Sequence, residues 1–408
     1  MAALTRNVLP LSGRRLELFS RSRVMSWATR LWIWLGLSVL RLAAAITLSM
    51  DGYHVHPGDS IQDALQLAAS NATNKVIRVH AGEYAPASRR QALIFFNIAH
   101  EGIRLVADGV VTLTAANPRL ILPSEPGFPA VVNHVVYFGD GITSNTVLSG
   151  FRITGANHFV TREQTREMEP NRTIPKNAFF YSDGGAIKVF GRSYPTLQNL
   201  EVVDNYASPC GAGISVQHQG YRQDSVLIEN CVFVRNRAQG TGAAIDLLAG
   251  SAARIFNCLF VDNASNLGED PVAKVSGERG FVNSGVLTIF WKSGADVRRC
   301  TFTGNRNGVD DMGGASTYTD CIFAGNRLEA GLKGAARYEL AVNAGARVSG
   351  CLFDGTIHDL RHDVSATNNV LNAPPPRFNR DYVPEAVEYR NAGYRPVSRT
   401  GTPASSPP

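Results

Sequence analysis

Between residues 230 and 356 one short alternation of apolar and polar positions recurs. Cys231, Cys258, Cys300, Cys321 and Cys351 are each followed two places on by Phe233, Phe260, Phe302, Phe323 and Phe353. In the first four sets an asparagine (Asn236, Asn263, Asn305, Asn326) stands five places after the cysteine. An earlier copy puts Leu200, Val202 and Asn205 in these places, and a weaker one offers Phe151 and Ile153. Period-two alternation of this kind predicts a strand with one face buried. A second short apolar strand precedes each motif, at residues 186–189, 213–216, 244–247 and 286–289. A third lies just before the cysteine, at residues 196–197, 227–228, 254–255 and 296–297. Successive cysteines are 27, 42, 21 and 30 residues apart, which fits a unit of about 21 residues carrying loop insertions.

Three strands per unit, with no 3.6-residue periodicity between them, predict an all-β parallel solenoid. One coil cannot bury its apolar side alone. Stacking at about 4.8 Å piles identical residues into ladders, and asparagine suits such a column because its amide can bond the amide one coil away. On this reading five of the six cysteines form an inward column. Stacked side chains pointing the same way oppose the torsion of a disulfide, so they are expected as buried thiols. Cys210 stands outside the column.

The stretch PGDSIQDAL within residues 54–86 resembles the opening of the pectin-lyase-like right-handed parallel β-helix superfamily. The resemblance covers most of residues 54–356. It implies right-handed coiling and a short capping helix at residues 60–69, with Ser60 as N-cap and the first rungs at 75–84 and 103–113. The FVRN, FVDN, FTGN and FAGN steps and the GGAI at residues 184–187 are also similar to the repeats of chlamydial polymorphic membrane proteins, which are surface adhesins. One fold hosts many activities, so these motifs specify architecture rather than chemistry.

Charge and leader narrow the class. The chain has 40 Lys+Arg against 34 Asp+Glu, but residues 1–45 hold seven arginines and a single acid, Glu17. The remaining 363 residues therefore balance at 33 bases and 33 acids, without the basic surplus of a nucleic-acid binder. Within the leader an apolar run at residues 31–40 is followed by Ala43-Ala44-Ala45, the layout of a secretory signal whose true start is expected at Met25. Arg41 ends the run well short of the roughly 20 residues of a membrane span. The expected organisation is a signal peptide at 1–45, a β-helix domain at 46–371 and a Pro-rich tail or cap at 372–408. The protein is expected to be secreted or periplasmic and monomeric, with no membrane span in the mature chain.

Candidate chemistry lies on the outward column of the first strand. Counting back twelve residues from the Cys place of the repeat, at Leu200, Cys258, Cys300 and Cys351, gives Lys188, Asp246, Thr288 and Glu339; allowing for loop lengths adds Ser215 and Asp310. Asp246, Asp310 and Glu339 are the candidate catalytic carboxylates. One coil between Asp310 and Glu339 suits a retaining glycosidase, and two coils between Asp246 and Asp310 approach the inverting separation. The favoured reading of the column is that outward residues of a strand are simply polar. Asp310-Asp311 is similar to the paired aspartates of polygalacturonase-type hydrolases, whose Asn-Thr-Asp, Gly-His-Gly and Arg-Ile-Lys elements are not found here. A lyase would need a Lys or Arg base, for which Lys188, Lys292 and Arg222 are available. Lys188, His218 and Lys292 are the candidate substrate-binding residues, and loops 157–181, 217–224 and 264–282 are candidates to line a cleft. His358, Asp359, His362 and Asp363 form a ligand-rich stretch read as a solvated loop; no metal or cofactor is implied. The expected partner is a polysaccharide or cell-surface glycan, bound or cleaved along the outer strand face, with a non-catalytic adhesion module as the alternative.

Overall fold

The structure, a computed structural model, describes residues 46–88, 90–117, 131–158, 184–207, 210–238, 240–265, 285–326, 339–343, 345–354, 365–371, 373–389 and 391–397. One wall of the solenoid is an eight-stranded sheet in chain order. Its strands are β1 (Arg90–Phe96), β2 (Val132–Phe138), β3 (Ile187–Phe190), β4 (Ile214–Gln217), β5 (Ile245–Leu247), β6 (Leu287–Ile289), β7 (Val309–Asp311) and β8 (Leu340–Val342). All its pairings are parallel, and from β3 to β8 the register runs Ile187, Ile214, Ile245, Leu287, Val309, Leu340. The first glycine of each GGAI-like step (Gly184, Gly211, Gly242) has φ of 82°, 66° and 58°, a left-handed bend that L side chains resist and that turns the chain into the strand.

The motif strands stack in the same way. Val232–Val234, Leu259–Val261, Thr301–Thr303, Ile322–Ala324 and Leu352–Phe353 pair in parallel and bring the phenylalanines into one column. Ring centroids along Phe233, Phe260, Phe302, Phe323 and Phe353 are 4.9, 4.3, 5.0 and 4.9 Å apart, with planes within 4° of parallel. Beside them the five motif cysteines are free and buried, as is Cys210 outside the column. Burial raises the thiol pKa of Cys258 and Cys321 well above the usual range, so these behave as small apolar groups.

The asparagines form a second ladder. The Nδ2 of Asn205, Asn236, Asn263 and Asn305 donates to the Oδ1 of the next asparagine at 3.1, 2.9, 3.0 and 2.8 Å. At the coil entrance α1 (Ile61–Ser70) closes the core with Ile61, Ala64, Leu65 and Ala68, spaced i, i+3, i+4, i+7. The Ser60 side chain caps it by accepting from Asp63 N.

The proline-rich C-terminal segment turns back along the solenoid. Ala373 and Ala392 pack with Ile322, Ala324 and Leu352, while Tyr394 packs on Leu259 and Val261. Arg395 N donates to Asn257 Oδ1 at 2.7 Å, and Asn257 Nδ2 returns a bond to Arg395 O at 2.8 Å. Most outward positions of the motif strands are apolar as well as the inward ones, Thr301 and Thr303 excepted, and this segment packs on Leu259, Val261, Ile322, Ala324 and Leu352 among them.

Candidate functional site

Register brings most of the expected column together. Tyr137, Lys188, Ser215, Asp246, Thr288 and Asp310 are successive pairing partners from β2 to β7. Two coils, about 9–10 Å, separate Asp246 from Asp310. Lys188 Nζ donates to Ser215 Oγ at 3.1 Å and to Gln217 Oε1 at 2.9 Å, and Thr241 Oγ1 donates to Asp246 Oδ1 at 3.0 Å. The column is not an open face, however. Asp246 is 0% exposed and Asp310 5%, and Lys188, Ser215 and Thr288 are wholly buried. A general acid must come within hydrogen-bond reach of the bond it cleaves. As folded, these carboxyls offer no such surface.

Glu339 does not join the column. Asp310 pairs with Ala341, because the bend after β8 is two residues shorter than those after β5 and β6. Glu339 instead ends the asparagine ladder: its Oε2 accepts from Asn326 Nδ2 at 2.5 Å and its Oε1 from Asn326 N at 3.2 Å. The fifth motif has Thr356 where the others have asparagine, and a carboxylate supplies the two acceptors the last Asn requires. The one-coil pair Asp310–Glu339 is therefore not formed.

Asp310 and Asp311 also part company, since neighbours on a strand face opposite ways. Asp311 occupies an inward place between Ile289 and Val342. Its Oδ2 accepts from Tyr318 OH at 2.9 Å and its Oδ1 from Gly313 N at 2.8 Å. Burial raises its pKa above the ordinary carboxylate value.

His218 is a structural histidine rather than a groove residue. Its Nε2 lies 3.0 Å from Ser193 O and its Nδ1 accepts from Ala252 N at 3.2 Å, which fixes a neutral ring with the proton on Nε2. Burial lowers its pKa to about 4. It stands in a serine ladder at the bend that follows the eight-stranded sheet. His218 N donates to Ser251 Oγ at 3.1 Å, Ser251 N to Ser293 Oγ at 3.0 Å, and Ala295 N to Ser316 Oγ at 3.1 Å.

Above this ladder the bend carries a shelf of exposed aromatic and cationic side chains. Residues 218–225 fold over the next coil, where a Cβ on Gly250 would stand 2.9 Å from Gly220 Cα. Arg222 thereby reaches past that coil, and its Nη1 donates to Lys292 O at 2.7 Å. The Arg192 guanidinium lies 4.4 Å from the centre of the Tyr221 ring. Tyr221 is 36% exposed and Trp291, edge-on to Phe290, is 57% exposed. Lys292, exposed, has φ of 62°, and the pairing Ala252↔Gly294 places it opposite Gly250 of the coil before.

Of the expected substrate-binding residues Lys292 belongs to the shelf, as do Arg222, named with the candidate bases, and the expected cleft loop 217–224 that carries it. Its neighbours were readable in the sequence: three of four tryptophans lie in the leader, which leaves Trp291 as the only one beyond residue 45. The parts of loops 157–181 and 264–282 beyond residues 158 and 265, and the stretch 358–363, lie outside the described residues. Among the described residues no group of His, Cys, Asp or Glu is arranged to hold a metal ion, and no helix is long and apolar enough to cross a membrane.

Neither curated proteins nor solved structures yield a match to the chain. Residues 134–285 match the family model described as right handed beta helix region, and these residues contain β3 to β5 with their stacked ladders. The same register continues through β6, β7 and β8, so the protein is an all-β right-handed parallel β-helix.

Proposed function

We propose that this β-helix is an exported protein that binds polysaccharide on the shelf formed by Arg192, Tyr221, Arg222, Trp291 and Lys292, without cutting it. The observation that carries the reading is Trp291, a large aromatic face 57% exposed next in sequence to the exposed Lys292, whose carbonyl accepts from Arg222, while Arg192 lies over the Tyr221 ring. Flat aromatic rings offer an apolar surface to the C–H faces of sugars, while guanidinium and ammonium groups donate to their oxygens. The leader pattern at residues 31–45 supports export. The burial of Asp246 and Asp310 favours binding over cleavage.

Trp291 also reports on the reading. In the full chain with Trp27, Trp32 and Trp34 replaced by Phe, it is the sole tryptophan. Saturable change in its emission across a polysaccharide panel, with no product formed, is the expected result. New reducing ends, or absorbance from an unsaturated uronate, would overturn the binding-only reading.

A further inference from the structure

The loop that builds the shelf hangs on one imidazole. Resting on the shelf as the binding surface, we infer that His218 is its positioning residue, a clasp that holds residues 218–225 closed while the ring is neutral and releases them when it is charged. The rungs that follow it in the ladder are serines, Ser251, Ser293 and Ser316. A serine hydroxyl has no proton to gain in acid, so of these rungs only His218 can respond. The residue is wholly buried and spends both ring nitrogens on backbone. Nε2 donates to Ser193 O on the coil before, and Nδ1 accepts from Ala252 N on the coil after. A second ring proton turns Nδ1 into a donor facing the Ala252 N–H. Flipping the ring does not help, because a charged imidazole has no acceptor.

The clasp holds the part of the chain that carries the shelf. Tyr221 N donates to His218 O at 2.9 Å. Tyr194 lies edge-on to the imidazole, ring centres 4.9 Å apart, and its hydroxyl donates to Tyr221 O at 3.0 Å and Gln223 Oε1 at 2.7 Å. Imidazole, phenol and loop therefore pack as one unit, and Tyr221 and Arg222 move with it. The charged groups acting on His218 are Arg222 and Asp224, of opposite sign and both in the loop. Of Ser193, Tyr194 and Ala252, which meet the ring from the adjoining coils, only Tyr194 titrates, and burial raises its pKa, so it stays neutral in acid.

Hydrogen exchange on the full chain without ligand tests the clasp apart from binding. The amides of Tyr221 and Ala252 report on it, since each donates to His218. The gap between the ordinary imidazole value of 6.5 and the folded value of about 4 limits the gain in opening to about 300-fold. From pH 7 to pH 4.5, after correction for the intrinsic pH dependence of exchange, opening at both amides should rise at least tenfold, while the amides of the buried strand β5 stay level. His218→Gln should abolish the rise. Tyr194→Phe should loosen Tyr221 about fivefold already at pH 7 and leave the acid response in place. Unchanged protection of Tyr221 and Ala252 in the parent, or an acid response that survives in His218→Gln, would overturn the clasp whether or not a glycan binds. An acid response as described, in a protein that answers to no glycan, would uphold the clasp and overturn only the binding reading.

Discussion

Replacing His218 by glutamine should make the protein markedly less sensitive to acid. The imidazole is held neutral: Nδ1 accepts from Ala252 N, Nε2 lies against Ser193 O, and burial lowers its pKa from 6.5 to about 4. The unfolded chain binds a proton below pH 6.5, whereas the folded chain resists one until about pH 4. The stabilisation is therefore complete above pH 6.5, declines as pH falls, and is gone once pH passes below the folded value. At 1.36 kcal/mol per unit the gap corresponds to about 3 kcal/mol. Glutamine can still donate to Ser193 O but cannot titrate. Urea unfolding of parent and His218→Gln between pH 8 and pH 4 measures the difference directly, because every other titrating group is shared. The parent should lose about 3 kcal/mol more than the variant over that window. Parallel curves would refute the assignment of a buried neutral imidazole. The same residue anchors the start of the loop bearing Tyr221 and Arg222, so shelf binding should weaken in the acid range where His218 charges.

Further outcomes follow from the ladders. Phe260→Ala should cost about 3–5 kcal/mol in urea unfolding, and Phe353→Ala about 1 kcal/mol less, because Phe260 stacks on two rings and the end ring Phe353 on one. Glu339→Ala strips two acceptors from Asn326 and should cost about 1–3 kcal/mol, with Glu339→Gln milder because it keeps one acceptor oxygen. Asp311 has a raised folded pKa, so its favourable contribution exists below about pH 3.8 and is lost as pH rises through the folded value. Asp311→Asn should accordingly flatten that part of the stability–pH curve and raise the denaturant midpoint at neutral pH relative to acid.

Legibility of the sequence differs between interior and surface. The Cys-x-Phe alternation and the Asn five places on are local, and stacking identical units leaves them one arrangement, so the phenylalanine and asparagine ladders could be read directly. The first-strand column was also readable as far as Asp310, because the count of twelve back from the cysteine holds at Asp246 and Thr288 and the differing loop lengths at Ser215 and Asp310 could be allowed for. It failed at Glu339, where a bend two residues shorter shifts the register and the carboxylate terminates the asparagine ladder. Burial of Lys188 and Asp246 has no signature in a period-two pattern, which tells the two faces of a strand apart but not whether the outer one is covered. Val232, Val234, Leu259 and Val261 did carry a signal: motif strands apolar on both faces require a cover, and Tyr394 supplies part of it. His218 replaces a small polar group in a serine ladder that only the fold assembles. The shelf is likewise a product of stacking, since Arg192, Arg222 and Lys292 are as much as 100 residues apart in sequence.

The central claim is that the exposed bend, rather than the buried carboxylates, is the working surface. Glycan binding by Trp291→Ala and Asp246→Asn, measured side by side by affinity electrophoresis, tests this directly. Trp291→Ala should abolish retardation while Asp246→Asn runs as the parent does. Normal retardation of the Trp291 variant with loss in the Asp246 variant would contradict the account and return the function to the column.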